Sequence, residues 1–405
     1  MNITPNPSNS GPLSGVRILD LATVLAAPFA STLCADLGAS VIKVELPEGG
    51  DSLRSLAPVT SEHALFWKAA NRGKKGISLD IRKPEGKVLL LRLLENTDVL
   101  VENFRTGTLA RWGLDFETLK QANPRLIVLR LTGFGQTGPY ASRPGFARIF
   151  EAMSGFAHLT GEADGAPQHM NFPFGDVVCG VFGAFTIAAA VAEQRGSNTP
   201  EPREIDLSAT EALLRLLDPL PVEFEQLGVA RRRAGSRATY TAPSNMYCSA
   251  DGVWITLVGT SDAIFQRVTQ AMGRPELTSD PRFATNPLRV EHLEVLDRAI
   301  ADWCKSCTFS DLADVLSRHQ VPFSKVYDIK DVMEDPHFKE RQAIIRIPDK
   351  DLGSIPGPCV VPRFSGHTSK IEASGPDTGE HNAEVYGQLG LTADDLGHLK
   401  QAGVI

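Results

Sequence analysis

A single carboxylate stands in an unusual setting in the stretch NFPFGDVVCGVFGAF, residues 171–185. Asp176 follows a Pro-x-Gly approach and precedes an apolar pattern in which Gly180, Gly183 and later alanines recur at helical spacing. Such a position is typical of a helix N-cap, where an aspartate accepts hydrogen bonds from free amides and complements the helix dipole. The same acid, partly dry at the edge of an open α/β sheet, could attack an activated acyl group as a nucleophile. The two roles are compatible.

The segments that would position Asp176 alternate between strand and helix patterns. VRILDL and SVIKVE predict buried strands on either side of a helix that begins at Pro28 and ends before Gly38. Three further strand patterns continue the alternation: GISLDI, DVLVENF and RLIVLRL. Strands that alternate with helices predict a parallel sheet covered by helices on both faces. The predicted fold class is therefore α/β, with a Rossmann-like large domain.

The pattern changes after about residue 225. SNMYCSADGVWITLV predicts a β-hairpin, because Asp-Gly between two β-prone runs is a strong turn signal, and helical patterns follow it. We therefore predict a smaller α+β domain over residues 226–325 and a discontinuous large domain over residues 1–225 and 326–405. Two further elements are predicted near the carboxyl end: a strand at GPCVVPRF and a helix at TADDLGHLKQAG.

Composition excludes several classes of protein. The chain has 405 residues, of which 42% are hydrophobic and 22% charged, as in ordinary soluble proteins. A net charge of −7 argues against a nucleic-acid surface. The first 15 residues are polar and turn-rich, unlike a signal peptide, and the apolar stretch from Val177 to Ala192 is too short for a membrane span. We predict a cytoplasmic protein that binds neither nucleic acid nor membrane.

Two common kinds of cofactor site are also disfavoured. The turn after the first strand reads DLATVLAAP and lacks the G-x-G-x-x-G of dinucleotide-binding domains, and no Walker-type phosphate loop occurs. Cys304 and Cys307 form a lone C-x-x-C without a second pair at ligand spacing. We therefore predict no metal site and no nicotinamide chemistry.

Six stretches together resemble one family over nearly the whole chain, the class III CoA-transferases, which include formyl-CoA transferase and carnitine CoA-transferase. They are LSGVRILDLATVLAAPFASTLCADLGASVIKVELPEGGD, NRGKKGISLDIRKPEG, DVLVENFRTGTLARWGL, LTGFGQTGPYASRPGF, GDVVCGVFGAF and SDPRFATNPLRVEH. The resemblance implies a homodimer whose two subunits interlock like linked rings. It also implies that coenzyme A and acyl-CoA are substrates, with no permanently bound cofactor.

In the family, the acid that matches Asp176 is the nucleophile. The resemblance implies that Asp176 forms a mixed anhydride with the donor acyl group and then a thioester with coenzyme A, and that an acceptor carboxylate reverses this sequence. It also implies the residues that surround the CoA thioester: Leu25, Ala26, Leu79, Arg82, Asn103, Phe104, Arg105, Arg111, Gly133 and Phe134. Five of these residues have, taken singly, an ordinary structural explanation in a strand, loop or solvated surface: Leu79, Arg82, Asn103, Phe104 and Arg111.

The chain departs from the formyl-CoA transferases at two of these positions. Leu25 stands where those enzymes often have glutamine, and Phe134 stands where they have tyrosine. The glycine-rich lid loop is reduced to VGTS, with Gly259 alone. Formate and oxalate are therefore not the expected substrates. Three residues could anchor a second acceptor carboxylate: Arg105, Arg148 and His169.

Three other functions remain open at this point. An α-methylacyl-CoA racemase would need a Gly-His-Asp stretch where this chain has Gly145, Phe146 and Ala147, so both proton-transfer groups are missing. A non-catalytic CoA-binding protein would leave Asp176 unmodified by acyl-CoA. A thioester hydrolase would consume acyl-CoA without any acceptor acid.

Overall fold

The computed structural model describes residues 11–367 and 370–405. The first ten of the 15 polar, turn-rich residues singled out above lie outside the described residues. The strands are β1 (Arg17–Asp20), β2 (Ser40–Glu45), β3 (Lys74–Ser78), β4 (Val99–Glu102), β5 (Ile127–Thr132), β6 (Arg203–Ser208), β7 (Ser244–Cys248), β8 (Trp254–Val258), β9 (Phe323–Lys325), β10 (Ile344–Asp349) and β11 (Gly353–Pro358).

The helices begin with α1 (Ala26–Asp36), α2 (Leu65–Ala70), α3 (Pro84–Leu94), α4 (Thr108–Arg111), α5 (Phe116–Ala122), α6 (Ala147–Met153), α7 (Phe156–Leu159), α8 (Phe174–Gly196), α9 (Ala209–Arg215) and α10 (Pro219–Leu227). They continue with α11 (Asp262–Ala271), α12 (Glu276–Ser279), α13 (Asn286–Glu291), α14 (Leu293–Lys305), α15 (Phe309–Arg318), α16 (Ile329–Glu334), α17 (Pro336–Glu340), α18 (Asn382–Gln388) and α19 (Ala393–Gln401).

Strands β1 to β6 form one parallel sheet in the order β3-β2-β1-β4-β5-β6. Alternate residues of a strand face opposite sides of a sheet, and both sides are apolar here. Ile18 contributes to a core with α1, α8 and α9, whereas the adjacent Leu19 contributes to a core with α3, α18 and α19. The predicted α/β class with a parallel, Rossmann-like sheet is confirmed.

The long apolar helix α8 packs closely against α1 at two of its glycines. A Cβ on Gly180 would lie 2.7 Å from Cδ1 of Phe29 and 2.8 Å from the carbonyl oxygen of Ala26, and a Cβ on Gly183 would lie 2.8 Å from Cβ of Ala30. The glycines therefore permit the close approach of helix to helix. Although α8 is long and apolar enough to cross a membrane, these contacts and its place in the sheet core make it a core helix.

The contacts divide the chain into two units. The larger comprises residues 11–156, 169–222 and the described residues from 342 to 405, and the smaller comprises residues 157–168 and 223–341. In the smaller unit, β7, β8 and β9 form an antiparallel sheet whose β7–β8 hairpin turns at Gly252, with a φ of 79°. Strand β9 extends this sheet, and the smaller unit continues beyond it to residue 341.

One predicted element was misplaced near the carboxyl end. GPCVVPRF was predicted as a strand, but β11 ends at Pro358 and pairs antiparallel with β10. The apolar run Cys359–Val361 follows the strand, and Val360 packs in a small core with Ile347 and Ile355. Burial of Val360 explains the apolar run without a strand. The last predicted helix is confirmed as α19.

Candidate active site

An open pocket lies at the carboxyl ends of β1 to β4, where the strand order reverses between β1 and β4. This is the edge at which open α/β sheets bind ligands. The pocket has an empty volume of about 570 Å³ including its open mouth. Its lining consists of Leu21, Thr23, Val44, Glu45, Leu46, Gly50, Asp51, Leu79, Ile81, Arg82, Phe104 and Trp112. Most of these side chains are apolar, and Arg82 adds a cation.

Three predicted CoA-binding residues line this pocket. Leu79 is buried just beyond β3. Arg82 is half-exposed and is held by Asp80, with 2.7 Å from Nε to Oδ1; this bond lowers the pKa of Asp80. Phe104 packs edge-on against Trp112, with ring centroids 5.3 Å apart. The pocket therefore combines aromatic surface with a guanidinium, groups that suit a nucleotide base and a phosphate.

Three other predicted residues stand outside the pocket lining. Asn103 accepts a hydrogen bond from the Thr23 amide and donates one to the Thr23 carbonyl, both at 2.8 Å. It therefore fixes the turn between β1 and α1. Arg105 and Arg111 are exposed, and Arg111 donates to Oγ1 of Thr108 at 2.7 Å.

A buried ionic cluster also holds the β1–α1 turn. Lys43 is fully buried and lies 3.4 Å from Oδ2 of Asp51 and 3.8 Å from Oδ1 of Asp20. Lys74 donates to Asp20 at 2.9 Å. These lysines lower the pKa of Asp20 against the opposing effect of burial. Asp51 in turn accepts the amide of Val24, so the turn is tied to charges inside the sheet.

Asp176 is the third residue of α8, because the helix begins at Phe174 with Pro173 before it. The prediction that Asp176 is the N-cap was therefore wrong. Proline at position 173 leads directly into the helix, and no side chain caps it. The carboxylate still lies in the first turn, where the helix dipole favours negative charge. Among the described residues, nothing forms a hydrogen bond or ion pair with it.

Burial and, to a smaller extent, the nearby charge of Glu151 together raise the pKa of Asp176 to about 6. Glu151 was not predicted from the sequence. It lies on α6 with its side chain buried, accepts the Gly175 amide at 2.9 Å and lies 2.7 Å from Nδ1 of His169. Its only signal in the sequence is an acid inside the apolar run IFEAM.

Four other predicted residues gather near the first turn of α8. Leu25 packs in the same small apolar cluster as Val177, the neighbour of Asp176. Ala26 turns its carbonyl towards Gly180, as described above. Gly133 and Phe134 pack against Phe150, which precedes Glu151; the Phe134 and Phe150 rings lie 5.7 Å apart. Since Thr23 lines the pocket, the β1–α1 turn reaches from the pocket to the Asp176 helix.

The sequence matches the description CoA-transferase family III over residues 13–382. The chain belongs to this family. The transferase is 42% identical over 396 residues to a protein named succinyl-CoA--D-citramalate CoA-transferase from Chloroflexus aurantiacus, covering 97% of this chain and 98% of the relative. It is 35% identical to a succinate--glutarate CoA-transferase from Agrobacterium fabrum, covering 96% of this chain and 98% of the relative.

A solved structure shares the transferase's fold. The crystal structure of a CAIB/BAIF family protein from Brucella suis matches with a TM-score of 0.83 and 34% identity, covering 94% of this chain and 100% of that one. These matches confirm the family resemblance inferred from the six sequence stretches. The protein is a CoA-transferase that acts between acyl-CoA and carboxylic acids.

Proposed function

We propose that the transferase moves coenzyme A from an acyl-CoA donor to a free carboxylic acid through covalent intermediates on Asp176. The observation that carries the proposal is the state of this carboxylate: half-buried, without a hydrogen-bonding partner among the described residues, and with a pKa raised to about 6. Such a group is still mostly ionised at pH 7, yet it is poorly solvated and therefore more nucleophilic than an ordinary aspartate.

The proposed chemistry balances without water or an added base. A carboxylate oxygen of Asp176 attacks the thioester carbonyl and the C–S bond breaks. The CoA thiolate is released, and Asp176 is now joined to the donor acyl group in a mixed anhydride. The thiolate then attacks the aspartyl carbonyl, which releases the donor acid and leaves an aspartyl-CoA thioester. The acceptor carboxylate displaces the thiolate to form a second anhydride, and the thiolate attacks the acceptor's acyl carbon, which restores Asp176.

We further propose that the pocket at the ends of β1 to β4 receives the nucleotide part of coenzyme A. Phe104 and Trp112 offer ring surfaces for the base, and Arg82 offers a phosphate contact. Leu79 completes the apolar wall. Leu25, Ala26, Gly133 and Phe134 would then lie near the acyl end, because they surround the first turn of α8.

For substrates, we propose succinyl-CoA as donor and a short dicarboxylic acid as acceptor. Support comes from the names of the relatives, among them the D-citramalate and glutarate transferases above. A second acceptor carboxylate would need a cation. Arg105 and Arg148 are exposed, and His169 keeps Nε2 available while Nδ1 faces Glu151. These three remain the proposed anchors.

We also propose an interlocked homodimer. Helices α6 and α8, together with the residue before α6, expose large apolar side chains to water. They include Phe146, Ile149, Val181 and Phe185, with 71%, 52%, 51% and 68% of their surface accessible. A second copy of the chain would cover them. The proposed location is the cytoplasm, which suits six free cysteines and an acyl-CoA substrate.

Product analysis by mass spectrometry tests the proposal. The protein is mixed with succinyl-CoA and a pool of mono- and dicarboxylic acids, beside Asp176→Ala and the surface control Asp394→Ala. We expect new acyl-CoA species from the wild type and from Asp394→Ala, and none from Asp176→Ala. Equal transfer by Asp176→Ala would contradict the mechanism. Loss of succinyl-CoA without any acceptor would indicate a hydrolase instead.

A further inference from the structure

Glu151 is a buried charge that the proposed bond-making steps do not use. Its side chain is 2% exposed, and both of its oxygens have partners. Oε1 accepts the Gly175 amide at 2.9 Å, and Oε2 lies 2.7 Å from Nδ1 of His169, whose side chain is 29% exposed. A buried carboxylate requires such partners, because desolvating an isolated ion is costly. His169 therefore anchors Glu151 from the solvent side.

The contact between Glu151 and Gly175 fixes the backbone immediately before the nucleophile. A Cβ at position 175 would lie 3.2 Å from Oε1 of Glu151 and 3.1 Å from the carbonyl oxygen of Ala147, so glycine permits this approach between α6 and α8. The amide belongs to the first turn of α8, whose N–H groups have no partner within the helix. Glu151 thus sets where the Asp176 carboxylate stands.

The repulsion between the carboxylates of Glu151 and Asp176 is not compensated by a positively charged group among the described residues that surround Asp176. From α6 comes Glu151 itself, with His169 behind it, and from the next turn of α8 comes Cys179, whose thiol pKa is raised to about 12 by burial and the nearby acids. Helix α1 packs against the next turn of α8, at Gly180, with Ala26 and Phe29, which do not titrate. Among the described residues, no lysine or arginine forms an ion pair with Asp176.

We propose that Glu151, anchored by His169, is a positioning residue that favours acylation of Asp176; this rests on the proposed nucleophilic role of Asp176. Glu151 holds the first turn of α8 through Gly175 and places a negative charge beside the free Asp176 carboxylate. When the oxygen of Asp176 bonds to the acyl carbon and the C–S bond breaks, the charge moves from Asp176 to the departing thiolate. Acylation therefore relieves the repulsion, and release of the product restores it.

The test compares wild type with Glu151→Gln, which keeps the shape and the acceptor for Gly175 but removes the charge. Each protein is mixed with succinyl-CoA in the absence of acceptor at pH values from 5 to 8, and the reaction is quenched. The mass of the peptide that contains Asp176 is then measured by mass spectrometry. We expect Glu151→Gln to lower the ratio of acylated to free enzyme roughly tenfold and to shift half-maximal acylation to lower pH. The control Glu193→Gln, at the far end of α8, should match wild type.

A second variant tests the anchor. We expect His169→Asn to slow acylation at least fivefold, and the double variant with Glu151→Gln to be little worse than Glu151→Gln alone, because the two residues act as one unit. An unchanged ratio and pH profile in folded Glu151→Gln would overturn the inference while leaving the proposed function intact. If Glu151→Gln does not fold, an unchanged acylation rate in His169→Asn overturns it. Absence of a label on wild-type Asp176 would instead overturn the proposed function.

Discussion

The Asp51 carboxylate holds Val24 in a left-handed backbone conformation. Val24 has a φ of 66°, which is costly for a β-branched residue, and its amide donates to both oxygens of Asp51 at 3.0 and 3.1 Å. Lys43 lies 3.4 Å from the same carboxylate and is fully buried. The strained residue stands between Thr23, which lines the pocket, and Leu25, which packs near the Asp176 helix.

This relationship predicts a rescue experiment. Asp51→Ala should raise the KM for acyl-CoA and lower kcat, each roughly three- to tenfold, because Val24 would relax and move the β1–α1 turn. Adding Val24→Gly should restore most of the loss, since glycine adopts a positive φ without strain. Steady-state kinetics of the two single variants and the double variant provide the measurement. A double variant as impaired as Asp51→Ala would show that Asp51 does not act through Val24.

The raised pKa of Asp176 predicts that its removal stabilises the protein at neutral pH. A carboxyl group whose pKa is higher in the folded state binds its proton more tightly there, so it stabilises the fold at low pH and that contribution disappears as pH rises through about 6. Asp176→Asn should therefore raise the free energy of unfolding by about 1–2 kcal/mol at pH 7.5. Denaturant titrations at pH 7.5 and pH 4 measure this, and an equal gain at both values would contradict the assignment.

The close packing of α8 on α1 predicts a steep cost for a side chain at Gly180. Gly180→Val should lower the free energy of unfolding by about 1–3 kcal/mol and reduce transfer activity, because the new side chain would meet Phe29 and the Ala26 carbonyl. The matched control is Gly387→Ala on the exposed face of α18, where a Cβ meets nothing within 4 Å. That change should be neutral or stabilise by about 0.5–1 kcal/mol. Similar melting curves for the two variants would argue against the close packing of α8 on α1 at Gly180.

The place of Arg82 in the pocket predicts a selective effect on substrate binding. Arg82→Ala should raise the KM for acyl-CoA roughly fivefold with little change in kcat, because a phosphate contact far from the reacting carbonyl contributes equally to ground and transition states. Arg125→Ala, an exposed arginine outside the pocket, should behave like wild type. The comparison requires KM and kcat at two salt concentrations. An unchanged KM for Arg82→Ala would show that Arg82 does not contribute to acyl-CoA binding.

Much of the frame around the site was predictable from local sequence. The strands β1, β2, β4 and β5 coincide with segments rich in apolar residues, and the alternation with helices sufficed to predict a parallel sheet. The hairpin of β7 and β8 followed from its Asp-Gly turn. The boundaries of the helices were predicted less accurately. The pattern placed Asp176 at the N-cap of α8, but the helix begins at Phe174.

The sequence by itself determined the α/β class and the family, and it singled out Asp176 as the proposed nucleophile, because each of these inferences depends on residues that are neighbours in the chain or on motifs read in order. Only the tertiary structure decided which residues that are distant in the sequence come together around the proposed site. Glu151 reaches Gly175 across 24 residues, and Asn103 reaches Thr23 across 80. Periodicity reports the environment of a segment but not its partner, so contacts between separate elements arise only when the sheet and its helices close around one core.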